Sequence, residues 1–386
     1  MEESAIPHGR FAIRRAILGA VRDSPGIARI QIARQLGVTP SAVSLAVKPL
    51  QAAGLIVPSG TTHVSGGRPT EGLVLNASGP LMVGVDLGET SVRVGVANLR
   101  GQLIAETSSA LSMRDGSVVL DAMLRPVQEL LARYPDVLGV GVAVPGILNK
   151  EKSRVRYAAN LGWREMPLLD QCLSALGISV FLERNTSAAL LAERWWGARS
   201  VADPIVFVTV GSGFGAATMA GGVLLDGASG AAGEIGHLQL YPDGTLCRCG
   251  RRGCLETRAT ATALIAKAGT SIATVDAVRT AVSRGNGRAI EAMTAVGVAI
   301  GDGLAVLVGL VNPELVLLGG EAMEASDVLL PIIRERVAAG SLREASVSVR
   351  IEASALGQNA PLIGAATLGF SRLFDGRLDD IHARVA

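Results

Sequence analysis

A chain of 386 residues, 49% hydrophobic and 18% charged, is long enough for two or three domains, each with its own core. Its 47 glycines and only 12 aromatic residues describe an ordered, turn-rich globular chain and exclude a mini-protein, a disordered chain or a fibre. The net charge of +2 conceals an asymmetry: residues 1–80 carry 8 lysines and arginines against 4 acids, and the remainder carries 28 against 30. That basic excess points to a polyanionic partner for the N-terminal segment.

The apolar stretch Ala16–Val21 is too short for a secretory signal and lacks a small-residue cleavage pattern. The longest apolar run, Ala295–Val311, contains Asp302 and several glycines, which suits a buried helix better than a membrane span. A cytoplasmic protein with no membrane partner is expected. Four cysteines do not make a disulfide scaffold, and three of them, Cys247, Cys249 and Cys254, fall within eight positions, a spacing that suggests metal.

Between Phe11 and Val21 the residues Phe11, Ile13, Ile17, Leu18 and Val21 recur at helical spacing with arginines between them, predicting an amphipathic helix. After Ser24-Pro25-Gly26, a second helix is expected over Ala28–Leu36 with Ile32, Ala33 and Leu36 on one face. Gly37-Val38 then turns into a third helix that runs to about Ala53, with Thr39 as its N-cap and Pro40 in the first turn. Two helices joined at a glycine turn are a helix-turn-helix signature. The second enters a major groove, which makes Thr39, Ser41, Ser44 and Lys48 the candidate DNA contacts. Gly54–Val57 and Gly72–Leu75 read as two short strands around a polar loop, the wing of a winged helix, and Arg68 in that loop is suited to a minor groove. The turn formers Asn76-Ala77-Ser78-Gly79-Pro80 place a boundary between a DNA-binding domain at 1–78 and a larger domain at 79–386.

Beyond the boundary, strand-like runs alternate with helices. Strands are expected at Leu81–Val85, Ser91–Ala97, Leu138–Val144, Ile178–Leu182, Ile205–Val210 and Leu315–Leu318. Helices are expected near Val118–Arg133, Ser187–Trp196, Ala259–Ala268 and Ala289–Val311, giving an α/β fold with buried sheets. Glycine-rich corners follow three of the strands, at Asp86–Thr90, Gly211–Gly215 and Gly319-Gly320, where backbone N–H groups can approach a phosphate. His237 with Cys247, Cys249 and Cys254 supplies one imidazole and three thiolates, the donor set of a tetrahedral zinc site. With all four ligands from protein, one structural zinc per chain is expected.

These residues resemble the ROK family (repressors, open reading frames, kinases) of the sugar-kinase and actin superfamily, and the whole chain resembles its transcriptional regulators. The resemblance rests on Asp86-x-Gly88-x-Thr90, Val144-Pro145-Gly146, Asn160-Leu161-Gly162-Trp163, Gly211–Gly215, Gly233-Glu234-Ile235-Gly236-His237 and Cys247-x-Cys249-Gly250-x-x-Gly253-Cys254-Leu255-Glu256. It implies a winged helix followed by a two-lobed kinase-like fold, with Asn160, Asn185, Glu234, His237 and Glu256 facing a sugar. His237 is expected to serve the metal through one nitrogen and to face the ligand with the other.

The resemblance also carries departures. ROK kinases place an Asn-Asp pair after a glutamate, and the aspartate is the catalytic base; here Glu183 is followed by Arg184 and Asn185. An amide cannot act as a base near neutral pH. Glu89 stands where the first phosphate loop has a glycine, and its charge opposes a nucleotide. Arg184 either favours an acidic or phosphorylated sugar or points into solvent. Trp163, Trp195 and Trp196 are expected to pack. The implied protein is a sugar-responsive repressor of carbohydrate-metabolism genes and not an enzyme. It binds operator DNA and a sugar or sugar-derivative effector as a homodimer or homotetramer. The alternatives are an active sugar kinase with a DNA-binding appendage, and a repressor with a dead sugar site answering to a protein partner.

Overall fold

A computed structural model describes residues 10–62, 70–111, 116–197 and 202–374. The three predicted N-terminal helices form as α1 (Arg10–Asp23), α2 (Arg29–Leu36) and α3 (Pro40–Ala52). Strands β1 (Ile27–Ala28), β2 (Ile56–Thr62) and β3 (Thr70–Leu75) make an antiparallel sheet in the order β1-β3-β2. The Thr39 hydroxyl oxygen caps α3 by accepting from the Ala42 N–H at 3.2 Å, and Gly37 closes α2 in the left-handed region at φ 65°. Ile17, Leu18 and Val21 of α1 are buried with Ile32, Val43, Val47, Leu50, Ile56 and Leu73. Phe11 departs from the predicted apolar face: it is 46% exposed, with the Arg14 guanidinium 6.0 Å from its ring centre. The segment expected to link two domains is an ordered turn. Asn76 donates to the Gly54 carbonyl at 2.9 Å, and Arg100 Nε donates to the Leu75 carbonyl at 2.8 Å.

The chain continues through β4 (Leu81–Leu87), β5 (Ser91–Asn98), β6 (Leu103–Ala110), α4 (Gly116–Arg133), β7 (Val137–Val144), β8 (Ile147–Leu148), β9 (Val155–Ala158), β10 (Trp163–Met166), α5 (Leu168–Leu176) and β11 (Val180–Arg184). Next come α6 (Asn185–Trp195), β12 (Ile205–Val210), β13 (Phe214–Ala220), β14 (Val223–Leu224), α7 (Ala261–Ala268), α8 (Val275–Ser283) and α9 (Gly287–Val311). The fold closes with β15 (Leu315–Gly319), α10 (Ser326–Gly340), α11 (Arg343–Ser348), β16 (Arg350–Ala353) and α12 (Ala360–Phe374). Contacts divide the chain into two units: Met1–Val144 with Pro167–Glu183 and Leu362–Ala386, and Pro145–Met166 with Arg184–Pro361.

Each unit holds a five-stranded sheet, ordered β11-β7-β4-β5-β6 in the first and β14-β13-β12-β15-β16 in the second. Both follow one plan. An antiparallel meander is extended by strands that run parallel, β7 on β4 and then β15 on β12 with β16 on β15. In the first sheet, Gly95, Gly84 and Gly141 face one another across three adjacent strands. Side chains there would hold off α12: a Cβ on Gly84 would strike the Leu362 carbonyl, and one on Gly141 the Ala365 carbonyl. Helix and sheet therefore meet backbone to backbone.

The apolar run Ala295–Val311 lies inside α9, which is long and apolar enough to cross a membrane by length and composition. Its residues Val296, Ile300, Leu304 and Val308 are fully buried against β12, β15 and α10 in the core of the second unit. Asp302 is accommodated because it accepts from the Tyr241 hydroxyl at 2.6 Å and from Arg336 Nε at 2.5 Å. The Gly141→Ala variant is expected to lose about 1–3 kcal/mol of stability. Gly309→Ala, where a Cβ meets nothing within 4 Å on the exposed side of α9, is expected to gain about 1 kcal/mol. Urea denaturation followed by circular dichroism measures both.

Candidate metal centre and ligand site

The metal loop is built by turns that only its glycines permit. The Gly250 N–H closes a turn on the Cys247 carbonyl at 2.9 Å, and the Cys247 N–H reaches the Arg251 carbonyl at 2.7 Å. Gly253 takes φ 73°, and a Cβ there would collide with the Tyr241 carbonyl. The loop is fastened to the preceding segment by the Leu255 N–H, which donates to the Leu238 carbonyl at 2.9 Å. As a result, the short 3-10 turns Ile235–His237 and Leu255–Thr257 lie side by side.

This folding brings together all four predicted donors. Single ligand atoms of His237, Cys247, Cys249 and Cys254 all lie within 4.8 Å of one another. The sulfurs of Cys249 and Cys254 are 3.6 Å apart, and His237 Nδ1 is 3.7 Å from Cys247 Sγ. A tetrahedral ion with metal–sulfur bonds of about 2.3 Å requires sulfurs about 3.8 Å apart, so the donor set and its spacing fit such an ion. Without one the thiols cannot all ionise. Burial and the neighbouring thiols push Cys254 up to about 12. At Cys249 burial raises the thiol, but hydrogen bonding by Arg251 and the other two cysteines brings it down to about 7.

The two carboxylates expected to face a sugar sit beside this cluster. His237 Nε2 is 4.0 Å from Glu234 Oε2, so the imidazole turns one nitrogen to the thiols and the other to Glu234. Glu256 Oε2 accepts from the Phe214 N–H at 3.3 Å, which ties it to the Gly211–Gly215 corner. Arg248 Nη2 lies 3.8 Å from Glu256 Oε1 and 3.1 Å from the Ser212 carbonyl oxygen. Sequence reasoning passed over Arg248, although its position between two ligand cysteines was the available signal. Burial holds the Glu234 carboxyl above its usual range, opposed by Arg184 and His237 and assisted by Glu256.

Arg184 corrects one of the two expectations made for it. It does not point into solvent: it is 5% exposed at the start of α6. Its guanidinium donates to the Ala232 carbonyl at 2.6 Å and to the Ser187 hydroxyl at 3.1 Å, and lies 3.8 Å from Glu234 Oε1. The residue is a brace for the segment that carries Glu234. Asn185, the first residue of α6, is half-buried, and Asn160 is half-buried at the turn between β9 and β10. Glu193 on α6 is fully buried and accepts from the Leu356 N–H at 2.8 Å and from the Ser354 hydroxyl. Trp163 and Trp196 are buried, and Trp196 meets Trp195 edge to face at 5.5 Å, as the packing expectation required.

Of the candidate DNA contacts on and just before α3, Thr39, Ser41, Ser44 and Lys48 are all exposed. Arg68 lies outside the described residues. The first phosphate-loop candidate is a tight turn between β4 and β5, closed by the Gly88 N–H on the Ser91 carbonyl at 2.9 Å. Replacing Arg184 by Met leaves the Ala232 carbonyl without its charged donor. It is expected to cost about 1.5–3 kcal/mol, measurable by urea denaturation, with the helical content of the folded state unchanged.

Comparison with known proteins bears on these features. A sequence model of the ROK family matches residues 82–371, and one described as a winged helix-turn-helix DNA-binding domain matches residues 10–57. The xylose repressor of Bacillus subtilis is 26% identical over 362 residues, covering 92% of this chain and 94% of that protein. A glucokinase of Thermotoga maritima is 30% identical over 308 residues, 74% of this chain and 96% of that protein. The crystal structure of a ROK family transcriptional regulator, a homologue of the Escherichia coli Mlc protein, superposes with a TM-score of 0.77 at 27% identity. It covers 96% of this chain and 99% of that one. The chain therefore belongs to the ROK family, and carries an N-terminal winged helix-turn-helix ahead of its sugar-kinase-like fold.

Proposed function

We propose that this protein is a sugar-responsive transcriptional repressor of carbohydrate-metabolism genes, whose kinase-like domain senses its ligand without phosphorylating it. One observation carries the reading: a winged helix is joined to a ROK fold in which an amide, Asn185, stands where the family's kinases have their catalytic aspartate. The likeness along nearly the whole chain to a protein named xylose repressor and to a regulator structure supports it.

The DNA-binding domain is 1–78 and the sensor is 79–386. Thr39, Ser41, Ser44 and Lys48 meet the operator from the exposed side of α3, with Arg68 contributing from the wing. A two-fold operator calls for at least a dimer, and a homodimer or homotetramer fits. The sugar or sugar derivative lies against Asn160, Asn185, Glu234, His237 and Glu256, where the carboxylates can each accept from adjacent hydroxyls. For the sugar to release DNA, it must bind the DNA-competent and DNA-incompetent states with different affinity. DNA binding places this work in the cytoplasm.

His237, Cys247, Cys249 and Cys254 would hold one structural zinc, which would neutralise the thiolates and cross-link their loop. The residues do the rest. Arg184 holds the Ala232 segment, His237 spaces Glu234 from the cysteines, and the Phe214 N–H orients Glu256.

A second reading, an active sugar kinase with a DNA-binding appendage, is favoured by the glucokinase relative. It needs a proton acceptor beside the sugar hydroxyl, and a missing base costs about 10² to 10⁴ in rate. An ADP-release assay with glucose and xylose separates the two readings. The sensor reading expects turnover at least about 100-fold below an ordinary kinase rate of about 1–100 s⁻¹, and turnover within that range would sink it. A thermal-shift screen starting from xylose and glucose, followed by release of bound DNA, tests the sensor. Absence of a shift with every sugar would transfer control to a protein partner.

For the DNA face, Lys48→Ala is expected to weaken binding to all sequences alike and to reduce the salt slope of the affinity by about 1. For the metal, elemental analysis of protein purified without chelator is expected to find about one zinc per chain on this four-ligand count. Cys254→Ser should lose the metal and lower the melting temperature, and a metal-free wild-type protein that is folded would count against the site.

A further inference from the structure

Leu45 is 74% exposed on α3, whereas the other large apolar residues of that helix, Val43, Val47 and Leu50, are fully buried. Leu45 thus lies on the side of α3 turned away from the core of the domain. Ser41 and Lys48 lie at the i−4 and i+3 positions from it, both exposed, and Ala42 and Pro49 at i−3 and i+4 are half-buried, so Leu45 is the one large exposed apolar side chain of α3 and has a hydroxyl and a cation beside it. The charge is one-sided as well: Arg29–Ala52 contains Arg29, Arg34 and Lys48 and no acid. That balance suits a duplex and repels an acid-depleted partner surface.

We propose that Leu45 determines operator specificity by packing against the C5-methyl group of a thymine in the major groove. In that groove thymine alone presents a methyl, so an aliphatic side chain on the inserted helix distinguishes it from cytosine without any hydrogen bond. Leu45 sits one turn into α3, between the capping hydroxyl of Thr39 and Lys48. The polar residues on either side fix the helix on phosphates and base edges, and the leucine gains its burial only when the correct base is opposite. The inference rests on the DNA-binding reading above and adds to it the base that is read.

The test uses the full chain. A duplex enriched from a random library by the wild-type protein is resynthesised with each thymine in turn replaced by deoxyuridine, which lacks only the methyl. Wild-type affinity is expected to fall about fourfold at one symmetry-related position per half-site, the loss corresponding to about 0.8 kcal/mol for one buried methyl. Leu45→Ala should bind the thymine duplex more weakly, lose that deoxyuridine sensitivity, and keep wild-type affinity and salt slope on random duplex. Leu45→Met, which restores an apolar side chain, should recover the sensitivity. Wild-type indifference to every deoxyuridine, or an unchanged deoxyuridine profile in Leu45→Ala, overturns the proposal while leaving the repressor reading intact. A change of oligomeric state in Leu45→Ala with unchanged operator affinity overturns it in favour of a protein contact. Failure of the wild-type chain to enrich any duplex would remove the repressor reading and this one with it.

Discussion

The convergence of three thiols and an imidazole within 4.8 Å is the constraint on which the ligand site depends. Glu234 lies one turn before His237, and Glu256 two residues after Cys254, so whatever gathers the donors also sets the two carboxylates. Crowded thiols resist ionising together, as the upward displacement of Cys254 records. A divalent cation reverses that preference by supplying the missing charge, which makes metal binding and loop order one event. His237 lies between Cys247 Sγ and Glu234 Oε2, so the placing of that carboxylate is tied to the geometry of the cluster.

Elsewhere the fold is governed by close approach. The Gly95, Gly84 and Gly141 row lets α12 lie on the first sheet with main-chain atoms in contact, and such packing leaves no room for a single added methyl. Several charged groups withdrawn from water illustrate the complementary rule that such a group is matched by a partner. Asp302 in the apolar α9 is matched by Tyr241 and Arg336, Glu193 by the Leu356 N–H and the Ser354 hydroxyl, and Arg184 by the Ala232 carbonyl and Ser187.

The winged helix is fastened to its neighbour in the chain by the bond from Arg100 to the Leu75 carbonyl. Asn76 holds the turn after β3 from within by its bond to the Gly54 carbonyl, so that turn has a defined geometry. A loose linker would average away small displacements, whereas a pinned one can transmit them to the reading helix.

Much was legible in the sequence because its signals are local. Helix periodicity, the Thr39 cap, the glycine turn at Gly37 and the cysteine spacing depend on residues a few positions apart, and α1 to α3, eight of the strands and the four clustered donors followed from them. Strands such as β13 and β16 lie outside the expected elements because their sequences mix small and polar residues, and the helices α8, α10 and α12 because their apolar residues find their partners far along the chain. The exposure of Phe11 and Leu45, the burial of Arg184 and the partners of Asp302 were likewise matters for the tertiary structure. The chain by itself determined which residue types can cap, turn and bind metal, because those are properties of short segments. Only the folded molecule decided which charges are satisfied within the protein and which side chains remain for a ligand or a base, because that depends on the carbonyls, hydroxyls and ions that distant segments bring alongside.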